Sequence, residues 1–341
     1  MKKIGQKLLG IGIVLSFGFL ALGTFRIIGH VRGSIQSNKK MVLKLAEIHD
    51  ENYPTSIANQ KFADLVKEKT EGRIQIEVYT SGLLGDENSV IKEMQKGTIA
   101  FGRLSIAPLA EYVDQLHTLM LPYLYKDSEH MWRVLESHIG DEMLDSLDEA
   151  GLMGLTWYDS GARSFYLKEG GLVEKGLNGK KIRVQKNSLM YAMCEALGAK
   201  PQFLPESQIY HSMLDVSLDG AENNIPTYEN YEQYKVYNYY ILDEHTRIPE
   251  VLAVSNEIMR KLSREDQQII REAAKEAGAY ERILWSQREE ESISRLKENG
   301  VQFVTVSDEA KASLKEACEG LYDEFGRNYQ DIIKQIEKMK E

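Results

Sequence analysis

The amino-acid sequence predicts an α/β fold of two lobes, and three stretches carry that expectation. Residues 41–79 read strand, helix, strand, the pattern of a parallel sheet with helical crossovers. Residues 159–167 (DSGARSFYL) turn at Gly161 and enter a new strand, as a chain crossing from one lobe to another would. From Ser263 to Asn299 a helical pattern runs without proline. At ~1.5 Å per residue such a helix is roughly 50 Å long, more than one small lobe can hold, so it should lie across both.

In order, residues 41–48 (MVLKLAEI) form a first strand and residues 49–54 (HDENYP) a polar loop at its end. Thr55 opens a helix with Ile57, Phe62, Leu65 and Val66 spaced along one face, and Gly72 stops it. Residues 73–79 alternate as a second strand, a turn at 81–85 leads to a helix over 86–95, and 98–104 is a third strand. Pro122 and its aromatic neighbours interrupt the pattern before helices at 128–135 and 141–150 and a strand at 152–158. Beyond the crossover, 171–179 read as a linker, and 179–185 (GKKIRVQ) as a short strand with Arg183 between Ile182 and Val184. Asn187 or Ser188 caps a helix through Leu197, ended by Gly198. A strand at 199–204 and a helix at 206–214 follow. Residues 221–234 hold too much Asn, Glu and Tyr for a plain core element. Strands at 239–242 and 250–255 bracket His245 and Arg247 and return the chain to the first lobe. Ser263 with Asp266 forms a capping box for the long helix, Gly300 stops it, and a last strand at 301–306 precedes a helical tail.

The 341 residues suffice for two domains, and 43% hydrophobic with 28% charged residues is the balance of a soluble globular body. The amino terminus differs. Three lysines in residues 1–7 precede an uncharged apolar run over 8–25, the form of a secretory leader; about 18 residues is also enough to span a bilayer. Ala21-Leu22-Gly23 offers a cleavage site, and no cysteine near the end of the run supports a lipid anchor. Of the 42 Lys and Arg residues seven precede Met41, leaving 35 against 52 Asp and Glu, a net charge of −17. Such a body repels polyphosphate, so nucleic acid is excluded as a partner. Cys194 and Cys318, both in helix-like stretches of an exported chain, read as two buried thiols or one disulfide.

No phosphate loop, nucleophile elbow or paired-histidine helix is present, and the seven histidines lack metal-ligand spacing. The expectation is therefore no enzyme, no cofactor and no metal. What the chain does carry is a set of polar groups at strand ends: His49, Glu87, Arg103, Tyr158, Arg163, Arg183, Asn223, Tyr228 and His245. Strand ends of an open sheet face a crevice, where two arginines suit a carboxylate and the Asn, Tyr, Glu and His side chains suit hydroxyls. Each has a plainer reading: Arg183 as a surface residue, Arg163 paired with Asp159 or a nearby glutamate, Glu87 as a helix cap, and His49 as a solvated loop residue.

Seven segments in order, LKLAEIHDENYP (43–54), GRIQIEVYTSGLLGDEN (72–88), LPYLY (121–125), YDSGARS (158–164), LNGKKIRVQ (177–185), ALGAKP (196–201) and DGAENN (219–224), resemble the extracytoplasmic solute-binding proteins of TRAP transporters. The resemblance covers nearly all of the chain beyond the leader. It implies a periplasmic-binding-protein-like α/β fold in which two lobes, joined by crossing strands and a long helix spanning both, close on an organic acid. It places lobe I at 41–160 and 249–288, and lobe II at 161–248 and 289–341. It implies Arg183 as the carboxylate-binding arginine, with Arg163 and Asn223 beside it. An extracytoplasmic location and delivery to small and large membrane subunits of a sodium-coupled permease follow in the same way. Asn224 replaces a common proline, and Gln208 and Leu214-Asp215 depart from the usual pattern, which opens the question of the ligand. HDENYPT, YDSGARS, AENNIPTYE and EHTRIPEVL look most like members that bind hexuronates such as glucuronate or galacturonate. A C4-dicarboxylate would need a second cationic site, for which Arg103 and Arg247 are the obvious spares. A carboxylate clamp of this kind should stand open to water between the lobes when it holds no ligand.

Overall fold

The computed structural model describes residues 40–169, 177–215 and 217–340; the leader and most of the 171–179 linker lie outside the described residues. In chain order the strands are β1 Met41–Ala46, β2 Ile74–Tyr79, β3 Phe101–Ser105, β4 Leu152–Tyr158, β5 Ala162–Leu167 and β6 Lys181–Val184. They continue with β7 Lys200–Phe203, β8 Gly220–Asn223, β9 Tyr239–Leu242, β10 Thr246–Arg247, β11 Glu250–Ser255 and β12 Gln302–Thr305. Among the described residues they form two sheets, ordered β2-β1-β3-β11-β4 and β12-β9-β5-β8-β6-β7, with β10 beside β5.

Neither sheet is purely parallel, which corrects the simple crossover pattern read from residues 41–79. β1 and β3 are parallel, but β11 runs antiparallel to both β3 and β4. In the second sheet β6 is parallel to β7 and β8, β12 is parallel to β9, and β5 is antiparallel to β8 and β9. The physical reason is the double crossing. A strand that re-enters the first sheet from the far lobe starts at the crevice end, and so runs against its neighbours.

The longer helices are α1 Pro54–Lys69, α2 Glu87–Gln95, α3 Ser128–Leu135, α4 His138–Asp145, α5 Ser188–Ala196, α6 Glu206–Leu214, α7 Ile225–Asn230 and α8 Arg264–Glu298. After β12 the tail forms α9 Asp308–Ala317, α10 Glu319–Phe325 and α11 Gln330–Lys338. The buried face of α1 is set by Ala58, Phe62 and Val66, spaced four apart, and Ile57 is exposed instead of lining it. Asp86 and Asn187 cap α2 and α5 through their side chains. The first residues of the 221–234 run, read as too polar for a plain core element, lie in β8, whose four residues are all buried. Burial is tolerated there because the charge of Glu222 and the amide of Asn223 are both met by Arg163.

The long helix forms as expected, 35 residues from Arg264, with Ser263 accepting the Asp266 N–H at its start. Ile270, Ala273, Ala274 and Ala277 pack with Phe62 and Val66 under the first sheet, while Leu296 joins Tyr166 and Tyr240 under the second. One helix thus contributes to the cores of both lobes. The tail helices pack back on residues 122–138: Nε2 of His130 lies 2.8 Å from the Ile336 carbonyl, and the Tyr322 hydroxyl donates to the Pro122 carbonyl at 2.8 Å. Cys194 and Cys318 are free thiols buried in a common core cluster.

Candidate functional site

β5, β8 and β6 lie side by side and set the positions of the two arginines. Arg183 is opposite Ala221 in β8, and Asn223 is opposite Ser164 in β5. Alternation therefore puts Arg183 and Asn223 on one face of the sheet, and Arg163 and Glu222 on the other. At the strand ends the faces are joined. The Arg163 guanidinium donates to Glu222 Oε2 at 2.5 Å, to the Glu222 carbonyl at 3.0 Å, and to Asn223 Oδ1 at 2.9 Å. Arg163 thus pairs with a glutamate, one distant in sequence, instead of Asp159, and through Asn223 it also reaches the face that carries Arg183.

Arg183 is only 3% exposed, with Nε donating to the Leu204 carbonyl at 2.9 Å. It is neither the surface residue of the plainer reading nor open to water. The lobes are held together by bonds between the loop after β1 and α7. Tyr53 and Thr227 share a hydroxyl hydrogen bond of 2.9 Å, and Asn230 donates to Asp50 at 2.8 Å. His49 stacks on Tyr53 with ring centroids 3.9 Å apart. Burial, aided by the charge of Arg103, lowers the His49 pKa well below the usual imidazole value. A neutral His49 can both donate and accept hydrogen bonds.

His245 is completely buried beside Phe165, its Nδ1 2.8 Å from Asp243 Oδ2 and its Nε2 3.6 Å from Glu222 Oε2. Burial works against its charge, but Asp243 and Glu222 outweigh it and raise the pKa. Burial likewise opposes ionisation of Glu222, and the Arg163 guanidinium overcomes it and holds the carboxyl down at about 2.

At the ends of the first sheet, Arg103 is 1% exposed and ringed by carboxylates. It donates to Glu47 at 2.8 Å, to Glu250 at 2.8 Å and to Glu87 at 3.2 Å. Glu47 is saturated, since His49 N–H, Thr55 and Asn59 also donate to it. The Tyr158 hydroxyl donates to Asn59 Oδ1 at 3.1 Å, which ties it to the same network. Glu87 is not the helix cap, a role Asp86 takes; it accepts from Arg103 and from the Ser105 N–H.

The structure thus gathers Arg163, Asn223 and His245 around Glu222, with Arg183 on the Asn223 face of the same sheet, and His49, Glu87, Arg103 and Tyr158 into a second network around Glu47 and Asn59. Tyr228 is not among them. It packs in a tyrosine core, 4.7 Å from Tyr166 and 5.1 Å from Tyr240 between ring centroids, and its hydroxyl donates to the Tyr237 carbonyl at 2.6 Å.

A family model described as bacterial extracellular solute-binding protein, family 7 (DctP), matches residues 45–328. The chain belongs to this family. A solute-binding protein of Chromohalobacter salexigens is 34% identical over 286 residues, 84% of each chain. Among solved structures, a TRAP periplasmic solute-binding protein of Pseudomonas putida F1 with bound D-glucuronate is 32% identical, with a TM-score of 0.84 over 87% of this chain and 96% of that one. One from a Bradyrhizobium species in complex with galacturonate is 34% identical, with a TM-score of 0.84 over 87% of this chain and 100% of that one. The two-lobed fold is shared with these structures.

For a family 7 protein the sequence reading missed chiefly the acids. Glu47, Glu222 and Glu250 are buried partners of the two inner arginines. For Glu47 and Glu250 the signal was available in principle, since each adjoins an apolar strand where a lone glutamate needs a cation. Asn224, the departure from proline, N-caps α7 by accepting the Thr227 N–H, so the backbone turn is kept by a different residue. No helix among the described residues is long and apolar enough to cross a membrane.

Proposed function

We propose that this family 7 protein is the extracytoplasmic receptor of a TRAP transporter, and that its ligand is a hexuronate such as glucuronate or galacturonate. The observation that carries the choice of ligand is the engagement of Arg103 by three glutamates, Glu47 and Glu87 neutralising its charge and Glu250 taking a further donor. A C4-dicarboxylate needs a cation for each end, and this one already donates to three glutamates. Arg247, the other spare, lines a separate cavity of about 380 Å³ with Lys126, Lys311 and Lys315. Of the groups expected at the site, Arg183, Arg163 and Asn223 suit one carboxylate, and His49, Glu87, Tyr158 and His245 suit several hydroxyls. Solved relatives with bound D-glucuronate and galacturonate support the same class.

In this reading lobe I comprises 41–160 and 249–288, lobe II comprises 161–248 and 289–341, and the apolar run at 8–25 exports the chain or tethers it to the outer face of the membrane. The closed receptor hands its ligand to small and large membrane subunits, and no catalysis is involved. A thermal-shift panel of uronates, aldonates, dicarboxylates and keto acids tests the ligand, because a ligand that binds only the folded state raises the melting temperature by mass action. D-glucuronate or D-galacturonate should stabilise most. Stabilisation by malate or succinate with none by uronates would overturn the choice.

A further inference from the structure

We propose that Glu250 is a further ligand-contacting residue, which presents its second carboxyl oxygen to a sugar hydroxyl. The proposal rests on the uronate-receptor reading and gives that site a hydrogen-bond donor that no arginine supplies. Glu250 opens β11 at the point where the chain re-enters the first lobe, and its register neighbours are Ser105 and Tyr158 at the ends of β3 and β4. Its side chain is 10% exposed. Oε1 accepts from Arg103 at 2.8 Å, whereas Oε2 is buried with no hydrogen-bond partner in the protein. Glu47, by contrast, has both oxygens engaged several times over. A buried oxygen that the protein leaves unmatched, at the strand ends of the first sheet, has a reason to be there if the ligand matches it.

The charged and titratable groups around Glu250 explain its state. Arg103 faces it from β3, Glu87 from α2, Glu47 from just after β1 and Arg163 from β5; Tyr158 of β4, Tyr53 at the start of α1 and Glu281 of α8 are also within electrostatic reach. Burial dominates, Arg103 pulls the other way, and Glu87 and Glu47 add to burial, so the carboxyl is pushed up to about 8. At neutral pH the group carries its proton. It can then donate an O–H to a hydroxyl or ring oxygen without repelling the carboxylate of the ligand. A sugar acid has such acceptors, and a plain aliphatic dicarboxylate does not.

The test is calorimetric titration with D-glucuronate of wild type, Glu250→Gln and Glu250→Ala from about pH 6 to about pH 9. Wild-type affinity should fall with rising pH above about 8, approaching tenfold per unit as the acid ionises. Glu250→Gln keeps a donor and cannot ionise, so it should bind within about threefold of wild type at neutral pH and lose that fall; Glu250→Ala should bind roughly tenfold more weakly throughout. Infrared difference spectra of the unliganded wild type and Glu250→Gln, with melting curves as a fold check, should show one carboxylic-acid carbonyl band lost at neutral pH. Three variants with the same affinity and the same pH slope, or no such band, would overturn the proposal. Failure of wild type itself to bind any uronate would instead overturn the receptor reading on which the proposal rests.

Discussion

The hydroxyls of Tyr53 and Thr227 lie 2.9 Å apart although 174 positions separate them along the chain. The bond joins the loop after β1 to α7 across the crevice, and the Asp50–Asn230 bond repeats the connection nearby. An open receptor would break both, so they act as a latch whose energy biases the closed state. A neutral hydrogen bond contributes a net ~1 kcal/mol. Tyr53→Phe should therefore weaken D-glucuronate binding by about fivefold, mostly through faster dissociation in stopped-flow measurements. An unchanged dissociation rate would show that the latch contributes nothing to closure.

Arg183 is expected to pair with the carboxylate of the ligand. Arg183→Ala should cost about 2–5 kcal/mol of binding in titration calorimetry, because it leaves a buried carboxylate unpaired. Arg183→Lys keeps the charge but loses the planar fork, and should fall between the two. Affinity unchanged by the alanine variant would remove Arg183 from the clamp.

Elements governed by local rules were legible in the sequence. The capping of α8 by Ser263, the start of α5 at Asn187 and the strands around Arg183 depend on neighbours within a few residues, and they formed where expected. What could not be read was pairing over long separations. Arg163 meets Glu222 59 positions away, and Arg103 meets Glu250 147 positions away, and only the crossing topology brings them together. The run containing β8 looked too polar for a core for the same reason, since its partner lay in another strand. Tyr228 shows the converse: a residue whose polar tip suits a ligand packs its ring on other tyrosines and gives its hydroxyl to the Tyr237 carbonyl.

The Arg163–Glu222 pair makes a prediction about acid stability. Glu222 is held at about 2, below the ordinary carboxylate value of 4.5, so its contribution is fully present above that ordinary value. It is lost as pH falls from about 4.5 through about 2. Glu222→Gln should lower the melting temperature at neutral pH and flatten its decline on the acid side. Arg163→Met, which strands the Glu222 charge, should cost about 3–5 kcal/mol in urea unfolding. An acid limb for Glu222→Gln as steep as that of wild type would place the linkage on other carboxylates.

Gly161, at the crossing between β4 and β5, has a φ of +63°, and a Cβ there would stand 2.7 Å from Glu289 Oε1 and 3.1 Å from Trp285 Nε1. Two penalties combine in Gly161→Ala: a left-handed backbone costing about 1 kcal/mol, and displacement of two side chains of α8. Gly300 separates them, because its φ is +81° but nothing lies within 4 Å of its Cβ position. Gly300→Ala should therefore cost only the backbone share, about 1 kcal/mol, and Gly161→Ala more, both read from urea midpoints at constant slope. Gly161→Ala should also weaken ligand binding, since α8 contributes to the cores of both lobes and the displaced side chains sit where the chain crosses between them. Equal destabilisation by the two variants would mean that Glu289 and Trp285 yield freely, and the crossing would then be softer than its packing implies.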